Sequence, residues 1–292
     1  MNIKTRFRSR SKPLILDGAL GSLLQQYDAV NDENLWTSIA NLTQPQLIKN
    51  IYYDYIISGA DIITTNTFRT NPIAYKKGKL EISNKDFVKK TVELTIQSRT
   101  GNTIIAGCNP PAEDCYKIER SISYEELAEN HKNHISQLYD CGVDFILNET
   151  MSHFDEIKIS AEYCFQNKIP FITSIFFNDD LTILSGENVH DVINYLQNLD
   201  PIIISFNCIS LDTFIKLTNQ IDLFKIHFGF YLNCGSGNNT DKEITCGVSP
   251  KEYADFVKDV LILNPKLIGS CCGSNPNHTK ELRKLVDEVY RN

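Results

Sequence analysis

No apolar stretch in the 292 residues reaches the roughly 18 needed to cross a bilayer as a helix, so no membrane span is expected. Basic charge is not in excess. The 29 Lys and Arg face 36 Asp and Glu, leaving a net charge of −7, which disfavours a nucleic-acid binder. No Gly-x-Gly-x-x-Gly follows the first apolar run, so a dinucleotide fold gains no support. No His-Glu-x-x-His occurs, which removes the commonest metallopeptidase reading. The N-terminal residues 1–12 carry Lys4, Arg6, Arg8, Arg10 and Lys12 without an apolar core, so they are no secretory signal and read as a basic, frayed, solvated tail. Cysteine, by contrast, is plentiful. Nine are present, an odd number without the spacing of a small secreted disulfide scaffold. Free or metal-bound thiols in a reducing cytoplasm fit that usage.

Short apolar runs alternate with amphipathic stretches. The runs 14–16, 61–65, 103–106, 143–147, 171–176, 202–206, 226–232 and 266–269 are rich in Ile, Val and Phe, as strands buried on both faces are. The segments between them carry helix punctuation. Ser123 to Glu126 form a capping box and Gly142 ends that helix. Pro45, Pro250 and Pro276 each stand where a first helical turn tolerates proline. Eight strands alternating with eight helices predict an α/β fold, a single (β/α)8 TIM-type barrel over residues 13–292. The competing arrangement is an open, doubly wound sheet.

Barrels of this kind place chemistry at the C-terminal ends of their strands. Those ends read Asp17-Gly18, Asn66-Thr67, Gly107-Cys108-Asn109, Asn148-Glu149-Thr150, Asn178, Asn207-Cys208, Asn233-Cys234-Gly235 and Cys271-Cys272-Gly273. Cys208 ends the sixth strand and Cys271-Cys272 follow the eighth, with only the seventh between them. Three thiolates there suit Zn2+, which takes sulfur at about 2.3 Å in tetrahedral geometry and keeps one position open in catalytic sites. Vicinal cysteines in a regular strand would point to opposite faces, so Gly269 and Gly273 are expected to let the chain bend. The alternative is that the three are small buried hydrophobes. His131 and His134 share a helix face, expected to be solvated and remote from the rim. Cys108, Cys115, Cys141, Cys164 and Cys246 read as packing residues or bystanders.

Leu16 to Ser22, Thr65 to Asn71, Glu113 to Tyr116, Gly142 to Met151, Leu184 to Glu187, Asn207-Cys208 and Gly269 to His278 together follow a known pattern. On these segments the chain resembles the zinc-dependent homocysteine S-methyltransferase family, from residue 14 to its end. The resemblance implies zinc on Cys208, Cys271 and Cys272, and Asp17 and Glu149 beside the amino group of bound homocysteine. An ammonium wants carboxylate partners. Its carboxylate can take N–H groups of the turn from Gly18 to Gly21. Asn66 and Asn233 complete the expected substrate-binding set, or else tie rim loops together. Trp36, Phe68 and Tyr116 are candidates for a wall against a cationic donor. Glu113 and Asp114 read equally well as a solvated charge pair.

The implied partners are small molecules, homocysteine and a methyl donor. A zinc-held thiolate would attack the methyl carbon of an onium compound and give methionine. At this length no cobalamin or folate module is expected, nor the long C-terminal extension of betaine-using relatives. S-methylmethionine or a similar sulfonium is therefore the expected donor. A betaine-type or other-thiol enzyme, or a zinc-binding barrel without catalysis, is the alternative. The chain departs from the family at Ser205, at Tyr231-Leu232-Asn233-Cys234 and in the loop over 237–245. Cys234 is either a fourth thiol of the site or a small packing residue. The oligomeric state is not legible.

Overall fold

The computed structural model describes residues 2–236 and 244–291. Its main sheet has eight strands, all paired in parallel: β1 (Leu14–Ile15), β2 (Ile62–Thr64), β3 (Ile104–Asn109), β4 (Phe145–Met151), β5 (Phe171–Ile175), β6 (Ile204–Asn207), β7 (Phe228–Leu232) and β8 (Leu267–Ser270). β8 pairs with both β7 and β1. A Leu16–Ile62 bridge then joins β1 to β2 and closes the sheet. Closure removes every edge, so this is the expected (β/α)8 barrel and not an open sheet. The strands are buried on both faces because helices cover the outside, which is why their sequences are continuous rather than alternating.

The helix punctuation acts where the sequence placed it. Ser123 and Ser249 each accept from the N3 backbone while Glu126 and Glu252 reach back, completing two capping boxes. Pro45, Pro250 and Pro276 all sit in first turns, where no intrahelical partner for N–H is lost. After β7 a short ribbon pairs Gly235–Ser236 with Thr245–Cys246. Most of the divergent 237–245 loop, residues 237–243, lies outside the described residues.

The basic N-terminus corrects the expectation of a solvated tail. Ile3–Arg8 form a helix, and Phe7 is fully buried against the edge of the Phe145 ring at 5.7 Å. The cations are used as donors to loops that enter the strands. Arg6 reaches Asn102 O at 2.7 Å, Arg8 reaches Ile202 O at 2.9 Å, and Lys4 pairs with Asp200. Those loops mark the end of the barrel opposite the thiol rim, so the helix plugs the floor. A pattern of alternating cations hid one phenylalanine that pays for ordering the segment. Phe7→Ala should therefore destabilise the protein by about 3–5 kcal/mol, read as a lower midpoint in urea unfolding. An unchanged midpoint would show that the helix is not part of the core.

Candidate active site and metal centre

β7 is the rail on which the thiols meet. Cys208 N donates to Tyr231 O at 3.3 Å, and Cys271 N donates to Leu232 O at 2.8 Å. Successive carbonyls of one strand thus anchor both flanking segments. The Sγ atoms of Cys208 and Cys272 are 3.8 Å apart, those of Cys271 and Cys272 4.0 Å, and all three lie within 4.8 Å of one another. Sulfurs around a tetrahedral ion with bonds of about 2.3 Å would stand about 3.8 Å apart, so the donor set fits a metal of that kind. Among the described residues no other group of this sort converges. The three thiols share charge. The two neighbouring thiols hold Cys208 well below the usual thiol range, while Cys271 and Cys272 are pushed up.

The local backbone explains the convergence. β8 ends at Ser270, so Cys271 and Cys272 are not constrained to opposite faces. Gly273 has φ +80°, and a Cβ there would meet Gly235 Cα at 2.5 Å. Gly269 does not make the bend. It makes room, since a Cβ would meet Leu16 Cβ at 2.9 Å. Cys208 and Thr150 both adopt φ +57°, uncommon for residues with side chains. Asn207 clamps the two together, donating to Thr150 Oγ1 at 2.8 Å and accepting from Thr150 N at 3.2 Å. β4 carries one extra residue between Asn148 and Met151, a bulge that re-aims Glu149.

Asp17, Asn66, Cys108, Glu149, Tyr231 and the three thiols line one cavity of 1210 Å³. Asp17 accepts from Thr64 N and Thr64 Oγ1, both at 2.8 Å. Burial nevertheless raises its carboxyl to about 8, and raises Glu149 to about 7. Asp17 is buried and Glu149 half-buried, and neither has a cationic partner among the described residues. Cys108, read from sequence as a bystander, donates its S–H to Glu149 Oε2 at 2.9 Å. Its position in the strand-end series Gly107-Cys108-Asn109 was the available signal. Cys115 also lines the cavity.

The remaining expected residues divide. Gly18 lines the cavity, and a Cβ there would meet Tyr55 Oη at 2.6 Å. The N–H of Ala19, in the same turn, is taken by Ser274 Oγ at 3.2 Å. Asn66 lines the cavity but commits its amide to Thr37 O at 3.1 Å and Asn41 Oδ1 at 3.2 Å, so it ties loops as well. Asn233 lies off the cavity wall and accepts from Gly235 N at 2.8 Å. Trp36 and Phe68 meet edge to face at 5.9 Å on the wall. Tyr116 packs against Phe176 at 5.2 Å. Cys234 is fully buried and donates to Leu232 O, a packing role and not a fourth ligand.

His131 and His134 correct the expectation of a solvated face: both are fully buried. His131 Nε2 lies 2.7 Å from Glu156 Oε1, which also accepts Ala112 N at 2.7 Å. His134 spans Asn109 Oδ1 and Thr70 Oγ1, each at 3.0 Å. The pair stitches two cavity loops to the barrel. The two rings lie on the helix's inward face, against Asn109 at the end of β3 and Glu156 on the following helix.

Comparison with known proteins agrees with this geometry. The family profile described as homocysteine S-methyltransferase matches residues 14–286. A homocysteine S-methyltransferase of Escherichia coli (strain K12) is 25% identical over 286 residues, 90% of this chain and 92% of its own. Homocysteine S-methyltransferase 2 of Arabidopsis thaliana is 22% identical, covering 93% and 92%. A selenocysteine Se-methyltransferase of Brassica oleracea var. italica is 22% identical, covering 93% and 88%. The metallated form of the E. coli homocysteine methyltransferase MmuM superposes with a TM-score of 0.79 at 22% identity, over 96% of this chain and 99% of that one. The profile runs from β1 into the last helix, nearly the whole length of the barrel: the chain belongs to the homocysteine S-methyltransferase family.

Proposed function

We propose that this protein transfers a methyl group from a sulfonium donor, S-methylmethionine or a close analogue, to the thiol of homocysteine, giving methionine, with Zn2+ on Cys208, Cys271 and Cys272. The observation that carries the reading is that three converging sulfurs share one cavity with two carboxyls, Asp17 and Glu149, that have no cationic partner among the described residues. Zinc, when bound, supplies a Lewis acid that keeps a neighbouring thiol deprotonated at neutral pH.

The chain's own residues do the rest. Asp17 and Glu149 take the substrate ammonium, whose single charge the two acids share, and this fixes the amino-acid end. With that end held, the sulfur can reach the thiol cluster on the same wall. Trp36 and Phe68 offer aromatic surface to the donor's cationic centre. Burial of the reacting groups excludes water, which strengthens each of these contacts. The new S–CH3 bond forms as the donor's C–S bond breaks. The donor's sulfur keeps the electron pair and leaves as a neutral thioether, and the acceptor's proton goes to solvent. Both reactants are held, so the displacement is effectively unimolecular.

Cys208→Ala, Cys271→Ala and Cys272→Ala should each lose nearly all bound zinc, measured by atomic emission, and at least about 100-fold in kcat/KM. Full methionine formation by metal-free wild type would end the zinc reading. The carboxyls carry a pH signature. Their folded pKa values lie above the ordinary range, so the empty pocket favours protons, and folded stability falls as pH rises through about 7 and about 8. Ammonium binding needs the charged forms, so KM for homocysteine should fall from about pH 6 to about pH 8.5. Asp17→Asn should raise the melting temperature of the metal-free protein at about pH 8.5 while costing at least about 100-fold in kcat/KM. A KM that ignores pH over this range would remove Asp17 and Glu149 as ammonium partners.

A further inference from the structure

Four cationic side chains, Arg69, Lys77, Lys117 and Arg120, line the cavity. Three are matched by acids. Lys77 pairs with Glu113, Lys117 with Asp114, and Arg120 with Asp155 and Glu156. Among the described residues Arg69 has no carboxylate partner. The chain has an excess of seven acidic residues, so an unmatched guanidinium on the wall of its main cavity needs a reason.

Arg69 is also held in place. Its backbone N donates to Ser38 Oγ at 3.1 Å. One arm of the guanidinium, Nη1, donates to Glu113 O at 2.8 Å. Its central carbon sits 5.5 Å from the centroid of the Phe68 ring. The side chain is half-buried, whereas Asp17 is 2% exposed. Arg69 is therefore more exposed than Asp17, one of the two carboxyls proposed for the acceptor's ammonium. It sits beside the Trp36–Phe68 pair, the aromatic surface offered to the donor.

We propose that Arg69 binds the carboxylate of the methyl donor, which makes the donor a zwitterion carrying both an onium centre and a carboxylate. A guanidinium with one arm occupied keeps N–H groups for an anion. A donor that was only a cation would be repelled by it. A zwitterion places its positive end toward the aromatic pair and the thiols, and its negative end on Arg69. This deepens the proposed methyl transfer by naming the donor's class and the residue that selects it.

The test uses zinc-loaded, full-length protein and titration calorimetry with S-methylmethionine, its methyl ester and homocysteine. Methionine formation is measured in parallel. Wild type should bind the acid more tightly than the ester. Arg69→Met should weaken the acid about 10- to 100-fold and leave the ester and homocysteine unchanged. Arg69→Lys keeps a cation and should lose less, again on the acid alone; it serves as the variant if Arg69→Met does not fold. Equal binding of acid and ester by wild type, equal losses on both, or a loss on homocysteine instead, would each overturn the proposal. Arg69-dependent binding of the acid without methyl transfer would uphold this role while refuting the activity. Transfer with unchanged affinities in the variants would do the reverse.

Discussion

The register of β7 between its neighbours is the constraint on which this molecule depends. Tyr231 O and Leu232 O hold the amides that begin the two thiol-bearing segments. A one-residue slip in either pairing would turn inward-facing side chains outward and separate the sulfurs. The barrel prevents such a slip because it has no free edge and every strand is buried on both sides. Hydrophobic burial across the whole chain thus sets the distance between three sulfur atoms to within the span of a single ion.

The site is built from groups that the fold alone would not favour. Asp17 is buried and Glu149 half-buried with no cationic partner among the described residues, and two residues with side chains, Thr150 and Cys208, take a left-handed backbone. Strained backbone of this kind costs about 1–3 kcal/mol per residue and persists only where its surroundings over-determine it. Here the Asn207 clamp and the β4 bulge do so. Under the proposed function, a ligand of opposite character would relieve each charged or clustered group. Buried acids call for an ammonium, clustered thiols for a metal ion, and a lone guanidinium for a carboxylate. The apoprotein is in this sense the negative of its ligands.

Supports for the site lie outside it. The His131, His134 and Glu156 network joins the 67–73 and 110–121 segments to the helix behind β3. His134 is pushed down to about 3 by burial, so it serves there as a neutral hydrogen-bonding group. At the opposite end the Ile3–Arg8 helix seals the barrel floor with Phe7. Neither device touches the cavity chemistry, yet both limit how far the rim can relax.

From the residues alone the barrel, its eight strands, the main helix caps and the three thiols could be read, because each rests on local pattern. Apolar runs, capping boxes and cysteines at strand ends are properties of short windows. Only the tertiary structure could show that Cys108 leans on Glu149, that Asn233 accepts from Gly235 N, and that the two histidines are buried. It also revealed Phe7 as a plug and Arg69 as a cation with no carboxylate partner among the described residues. These facts depend on which distant segments come to lie against a residue. Burial and charge pairing are set by neighbours in space, and no window of sequence contains them.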